Sequence, residues 1–172
     1  MSLTHQNGSL DFHYQMTKGR LAETIIEEMF IASGYEVHRF GMENMVPGLV
    51  RRLNNNNSNV SSHIKKMPDF VMKKGGEVHF VEVKFRGDGK FDIDKLQRDN
   101  KTYPYADCIL IVVSPEKIKS LSVKDLNDKM EITPQCKNYL GNRKEFDLEK
   151  KVISDYLEIV KVFFQHLPPK ID

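Results

Sequence analysis

The sequence predicts an α/β protein with a mixed central sheet flanked by helices. Three observations carry that expectation. Residues 67–85 hold two Val- and Phe-rich runs around Gly75-Gly76, which reads as a β-hairpin. Residues 107–114, Asp-Cys-Ile-Leu-Ile-Val-Val-Ser, form the most apolar run and follow a segment with helical character. Helix followed by buried strand is the pattern of a crossover connection. Apolar stripes at helical spacing occupy residues 18–33 and 148–164.

The chain has 172 residues and a formal net charge of +2. That length suits one domain with a real core. The charge excludes a global polycation, so contact with nucleic acid must come from local clustering. No apolar run is long enough to span a membrane and no leader is legible, so an intracellular, cytoplasmic protein without a membrane partner is expected. Cys108 and Cys136 have no metal-ligand spacing; Cys108 is expected as a buried thiol, and a disulfide framework is not.

Residues 1–16 are polar and read as a loose N-terminal arm, with residues 17–172 as a single domain. Thr17 can cap a helix over 18–33, whose stripe is Leu21, Ile25, Ile26, Met29 and Phe30. Glu27 and Glu28 read as a solvated face. Gly34 closes the helix. Lys18 and Arg20 fall in the first turn of this helix, where cations oppose the helix dipole and hint at a phosphate.

Tyr35 to Phe40 alternates as a strand. Residues 41–66 form an insertion holding an Asn-rich tract, 54–59, expected to be mobile. Its basic residues Arg51, Arg52, Lys65 and Lys66 suit a phosphate-contacting loop, and a plain surface loop fits them as well. Residues 92–101 read as a helix capped by Asp92, and 117–126 as a short helix. Residues 130–142 read as irregular. The tail from 115 to 172 is a C-terminal extension whose helix, 148–164, is stopped by Pro168-Pro169.

The hairpin brings chemistry to one end of the sheet. With Gly75 and Gly76 as the turn, Lys74 faces Glu77, Phe70 faces Val81, and Asp69 faces Glu82. Opposed residues have Cβ atoms roughly 5 Å apart. Lys84 shares the face of Glu82. Two carboxylates so close need neutralising, and a hard divalent cation such as Mg²⁺ would do that. Arg86 and Lys90 add cations in the following turn. By itself this set also suits an ordinary amphipathic strand.

Helix, three-strand meander, helix and central strand make an αβββαβ order. With Pro68-Asp69 followed by Glu82-Val83-Lys84, it resembles the PD-(D/E)xK nuclease superfamily, the restriction-endonuclease-like fold. Gly19-Arg-Leu-Ala-Glu23 and Gly34-Tyr35 are similar to the opening of archaeal Holliday junction resolvases. The resemblance spans residues 18–114. It implies that Asp69, Glu82 and the Val83 carbonyl ligate Mg²⁺, with Mn²⁺ as a substitute. Lys84 would orient or activate the attacking water. Glu23 would reach the metal through water or help hold a second ion, and Gln97 would stand near the substrate backbone. The implied activity is metal-dependent hydrolysis of phosphodiester bonds in DNA by an endonuclease. A homodimer would match the two active sites that cutting both strands commonly needs. The rival reading is a non-catalytic nucleic-acid-binding or assembly module that keeps the fold.

Overall fold

The computed structural model describes residues 4–41, 59–97 and 103–170. The first helix, α1 (Thr4–Ala32), buries Ala22, Ile25, Ile26, Met29 and Phe30. It ends in a Schellman cap. Gly34, at φ +82°, donates its N–H to the Ile31 carbonyl (2.9 Å), and the Tyr35 N–H reaches the Phe30 carbonyl (3.0 Å). The Phe30 and Tyr35 rings meet edge-on at 5.0 Å, which supplies the apolar contact of that motif.

The helix is longer than the sequence predicts. It starts at Thr4, so the loose arm over 1–16 does not describe residues 4–16, and Thr17 is an interior residue rather than a cap. The Thr17 hydroxyl donates to the His13 carbonyl one turn back (2.8 Å). The reason is tertiary. The Tyr14 hydroxyl donates to the Pro168 carbonyl (2.7 Å), and Gln15 Nε2 donates to the Pro169 carbonyl (2.8 Å). Residues 168–169 thus hold turns whose own apolar side chains, Leu10, Phe12 and Met16, stay exposed and do not anchor them in the core.

Strand β1 (Glu36–Arg39) pairs antiparallel with β2 (Phe70–Lys74), and β2 pairs antiparallel with β3 (Glu77–Phe85). The hairpin register is the expected one, with Phe70 opposite Val81 and Lys74 opposite Glu77. Of the glycine pair only Gly75 takes a positive φ, +60°, as a II′ turn requires at its first position. A short helix, α2 (Asn59–Lys65), precedes β2. It occupies the end of the insertion and includes Asn59, the last residue of the Asn-rich tract; residues 54–58 of that tract, with Arg51 and Arg52, lie outside the described residues.

Strand β4 (Ile109–Val113) is fully buried and runs parallel to β3. β5 (Ile118–Ser122) pairs antiparallel with β4, giving a five-stranded mixed sheet in the order β1-β2-β3-β4-β5. The helix expected over 117–126 is therefore half strand. Pairing satisfies the free edge of β4, and the Ser120 hydroxyl adds a bond to the Leu110 carbonyl (2.9 Å). Helix α3 (Val123–Asn127) starts only at a capping box, in which Ser122 and Asp125 exchange two bonds of 3.0 Å.

The helix expected over 92–101 is also shortened. Asp92 does cap, accepting from the Lys95 N–H (3.3 Å), but it caps a single 3₁₀ turn, Ile93–Lys95. The segment offers only Ile93 and Leu96 as apolar anchors, too few to hold a longer helix. Residues 98–102 lie outside the described set.

Helix α4 (Lys150–Phe164) buries Val160 and Phe164 and packs against α1 and the sheet, with Phe164 stacked on Phe85 at 4.4 Å. Alternation along β4 divides the interior. Ile109, Ile111 and Val113 join the core beneath α1 and α4. Leu110 and Val112 join a second core with Phe91, Tyr103, Leu126 and Ile132. Among the described residues no helix is long and apolar enough to cross a membrane.

Candidate active site

Asp69 stands immediately before β2, after the buried Pro68. Its carbonyl accepts from the Phe40 N–H (2.8 Å) and the Gly41 N–H (3.3 Å), which ties it to the end of β1. Its carboxylate accepts from the Val83 N–H at 2.7 Å. The bond crosses the open end of the hairpin. A strand residue sends its N–H and C=O to the same edge, so the Val83 carbonyl also looks toward Asp69.

Glu82 is 7% exposed. One of its oxygens pairs with the Lys84 ammonium, and the other accepts from the Tyr103 hydroxyl at 3.5 Å. Burial pushes the Glu82 carboxyl up to about 7; Lys84 pulls it back, and Asp69 adds to the rise. Burial also works against the Lys84 ammonium. The carboxylates of Glu82, Asp69 and Glu23 outweigh it and hold Lys84 above the ordinary lysine value. Burial, with Glu82 next, likewise raises the Tyr103 phenol, which keeps its proton.

Glu23 reaches this cluster from α1. It lies 3.9 Å from the Arg39 guanidinium, which also forks onto Glu27 with Nε bonds of 3.0 and 3.2 Å. The Glu27 bond, reinforced by the charges of Glu27, Glu23 and Asp69, outweighs burial and raises Arg39. Glu27 is thus an ion-pair partner, not the solvated residue expected from the sequence. The cluster holds four carboxylates, Glu23, Glu27, Asp69 and Glu82, against two cations, Arg39 and Lys84. With every group ionised its formal charge is −2.

Glu82 and Lys84 line a cleft of about 160 Å³ together with Lys65, Lys66, Lys95 and Tyr103. Two of the basic residues expected to meet nucleic acid, Lys65 and Lys66, therefore line the same cleft as the Glu82–Lys84 pair. Others are not. Lys18 is buried, with its ammonium 4.2 Å from the Tyr14 ring centre and 3.2 Å from the Pro169 carbonyl, and burial lowers its pKa. Neither Lys18 nor Arg20 is in a first helical turn, because α1 begins at Thr4; the dipole argument for a phosphate there does not hold. Arg20 is exposed. Arg86 bonds the Phe85 carbonyl (2.8 Å) and stands over the Phe91 ring at 5.1 Å. The Gln97 amide faces Asn127 at 3.5 Å.

Sequence reasoning missed Arg39, Lys95 and Tyr103 as members of the site. Each comes from a segment distant from the hairpin, and only the tertiary fold reports their approach.

Among the described residues no three His, Cys, Asp or Glu side chains enclose a metal position by themselves. Asp69 and Glu82 nonetheless suit a hard cation. Mg²⁺ is commonly held by one or two carboxylates and completes its shell with water and substrate phosphates. A carboxyl driven up to about 7 by burial is also one that a cation would stabilise in its charged form.

The chain matches no model of a known protein family and no curated protein sequence.

Proposed function

We propose that this protein is a Mg²⁺-dependent nuclease of the restriction-endonuclease-like class that hydrolyses phosphodiester bonds in DNA. The observation that carries the reading is the Asp69–Glu82–Lys84 cluster at the open end of the hairpin, whose Glu82 and Lys84 line a cleft edged by Lys65, Lys66 and Lys95. The lysines supply the charge that attracts a phosphate backbone. Asp69 and Glu82 would hold the ion, with Val83 contributing its carbonyl and Glu23 acting through water. A bound Mg²⁺ would supply positive charge for the phosphoryl oxygens and a more acidic water.

The chain's own residues divide the remaining work. Lys84 is held protonated by three carboxylates, so it serves as a donor and a point charge. It can orient a water or a phosphoryl oxygen; it does not take the proton. Tyr103 keeps one Glu82 oxygen in place. Arg39 pairs with Glu23 and Glu27 and so offsets part of the negative charge of the cluster. A homodimer would place two such sites on one duplex.

The rival is a binding module that keeps the fold without cutting. Its support is the Glu82–Lys84 pair, which satisfies both charges with no ion. Labelled duplex, single strand, flap and four-way junction, each incubated with Mg²⁺, Mn²⁺ or chelator, separate the two. Metal-dependent cutting that disappears in Asp69→Ala and Lys84→Ala is the expected result. No cutting of any substrate, with Mg²⁺ affinity equal in wild type and Asp69→Ala, would leave the binding module as the reading.

A further inference from the structure

Lys84 holds the carboxylate that a bound cation would need. Glu82 and Lys84 are two residues apart on β3, a span of roughly 6.6 Å along one face of the strand. A lysine stem covers that span and brings its ammonium onto the carboxylate. Both Glu82 oxygens are engaged, one by the Lys84 ammonium and the other by the Tyr103 hydroxyl at 3.5 Å. Val83, between the pair, donates its N–H to the Asp69 carboxylate at 2.7 Å, so both acids are tied to one short piece of strand.

An ammonium bonded to a carboxylate oxygen sits about 2.7–2.9 Å from it. Mg²⁺ sits about 2.0–2.1 Å from such an oxygen. Two positive charges that close repel strongly where water is scarce, so the ion and the ammonium compete for Glu82. The partners differ in freedom. The Glu82 side chain is 9% exposed and is held from two sides, whereas the Lys84 side chain is 30% exposed and ends a flexible four-carbon stem. Lys84 also lines the cleft that Lys65, Lys66 and Lys95 edge. A phosphate drawn to those ammonium groups would bring a second anion into the cleft that Lys84 already shares.

We propose that Lys84 is an exchangeable counter-ion: it holds Glu82 until a divalent ion and a phosphate arrive, yields the carboxylate to the ion, and takes a phosphoryl oxygen instead. The proposal rests on the nuclease reading and deepens it by assigning how that site is regulated. The ion and the nucleic-acid backbone then bind cooperatively, because the backbone gives the displaced ammonium a new partner. Linkage makes the coupling reciprocal, each ligand tightening the other by the same factor.

The test is Mn²⁺ binding to the full chain, followed by electron paramagnetic resonance, which reads free Mn²⁺ and needs no turnover. Wild type is compared with Lys84→Gln and Lys84→Met, which remove the charge and keep most of the stem, with Lys84→Arg, which keeps the charge, and with Asp69→Ala. Each is titrated alone and with a phosphorothioate oligonucleotide, single-stranded or duplex, that resists hydrolysis; the oligonucleotide without protein is the blank. Exchange predicts that Lys84→Gln and Lys84→Met alone bind Mn²⁺ about tenfold or more tighter than wild type, since the repelling charge is gone. Lys84→Arg should stay near wild type, and Asp69→Ala should bind more weakly. The oligonucleotide should tighten Mn²⁺ about fivefold or more in wild type and clearly less in Lys84→Gln. A lysine that merely holds the site in shape gives the opposite sign, weaker Mn²⁺ binding in both neutral variants. Circular dichroism checks that each variant is folded, and the oligonucleotide effect on wild type needs no variant at all. Equal or weaker Mn²⁺ binding by the folded neutral variants, or no effect of a bound oligonucleotide on wild type, overturns the exchange alone. Absence of Mn²⁺ binding in wild type and in both neutral variants overturns the nuclease reading with it. Tighter binding by the neutral variants, with no substrate cut by wild type, overturns the nuclease reading and leaves the exchange standing.

Discussion

Glu82 places a carboxylate where burial opposes its charge, and that has a consequence for stability. Its folded pKa of about 7 lies above its ordinary value of 4.5. Between those values the folded protein holds more protons than the unfolded chain, so this residue's contribution to stability falls as pH rises. Below about 4.5 the contribution is present in full; above about 7 it is gone. The swing is on the order of 3 kcal/mol, at ~1.4 kcal/mol for each pKa unit. Urea melts in chelator from pH 4.5 to pH 8 should show that fall in wild type. Glu82→Gln, which cannot titrate, should show a much flatter profile. Equal slopes in the two proteins would mean that burial of this carboxylate is not what raises it. The approach of Asp69, Glu82 and Lys84 was readable because a two-residue turn and a period of two determine which side chains share an end and a face. Arg39, Lys95 and Tyr103 were not readable, because they reach the cluster through long-range packing that no local spacing encodes.

At the scale of elements, local signals worked where a helix or strand owns its apolar surface. The stripe from Leu21 to Phe30, the Gly34 cap and the uniformly apolar β4 each carry their own reason to form. They failed where a partner supplies the reason. β5 is a strand because β4 offers it an edge, and its Ile-Lys-Ser-Leu-Ser sequence has no strict alternation to announce this. The first turns of α1 are helical beside a tail that lies far away in sequence. That dependence is testable. Removing residues 166–172 deletes the acceptors at Pro168 and Pro169 for Tyr14, Gln15 and Lys18. Hydrogen exchange followed by mass spectrometry should then show faster exchange over residues 4–18 and unchanged protection over 21–32, where burial against the sheet holds the helix. Uniform loss over the whole helix would instead make α1 a single cooperative unit.

For the molecule as a whole, the sheet separates two cores, to which β3, β4 and β5 each send alternate residues. Ile26 lies in the core beneath α1 and α4, and Leu126 in the core on the opposite face. Both are fully buried. Ile26→Ala and Leu126→Ala should each cost about 2–5 kcal/mol in a urea melt. Because the sites share no partner in either core, the double variant should equal the sum of the two within about 0.5 kcal/mol. A larger deviation would show that strain passes through the sheet.

The docking of residues 168–169 on α1 also opposes the order of synthesis to the order of completion. The apolar stripe of α1 can meet β3 once the hairpin is made, but Tyr14, Gln15 and Lys18 find their acceptors only after Pro168 and Pro169 have been synthesised, about 150 residues later. Until then the helix is only partly fastened, whatever the state of the sheet.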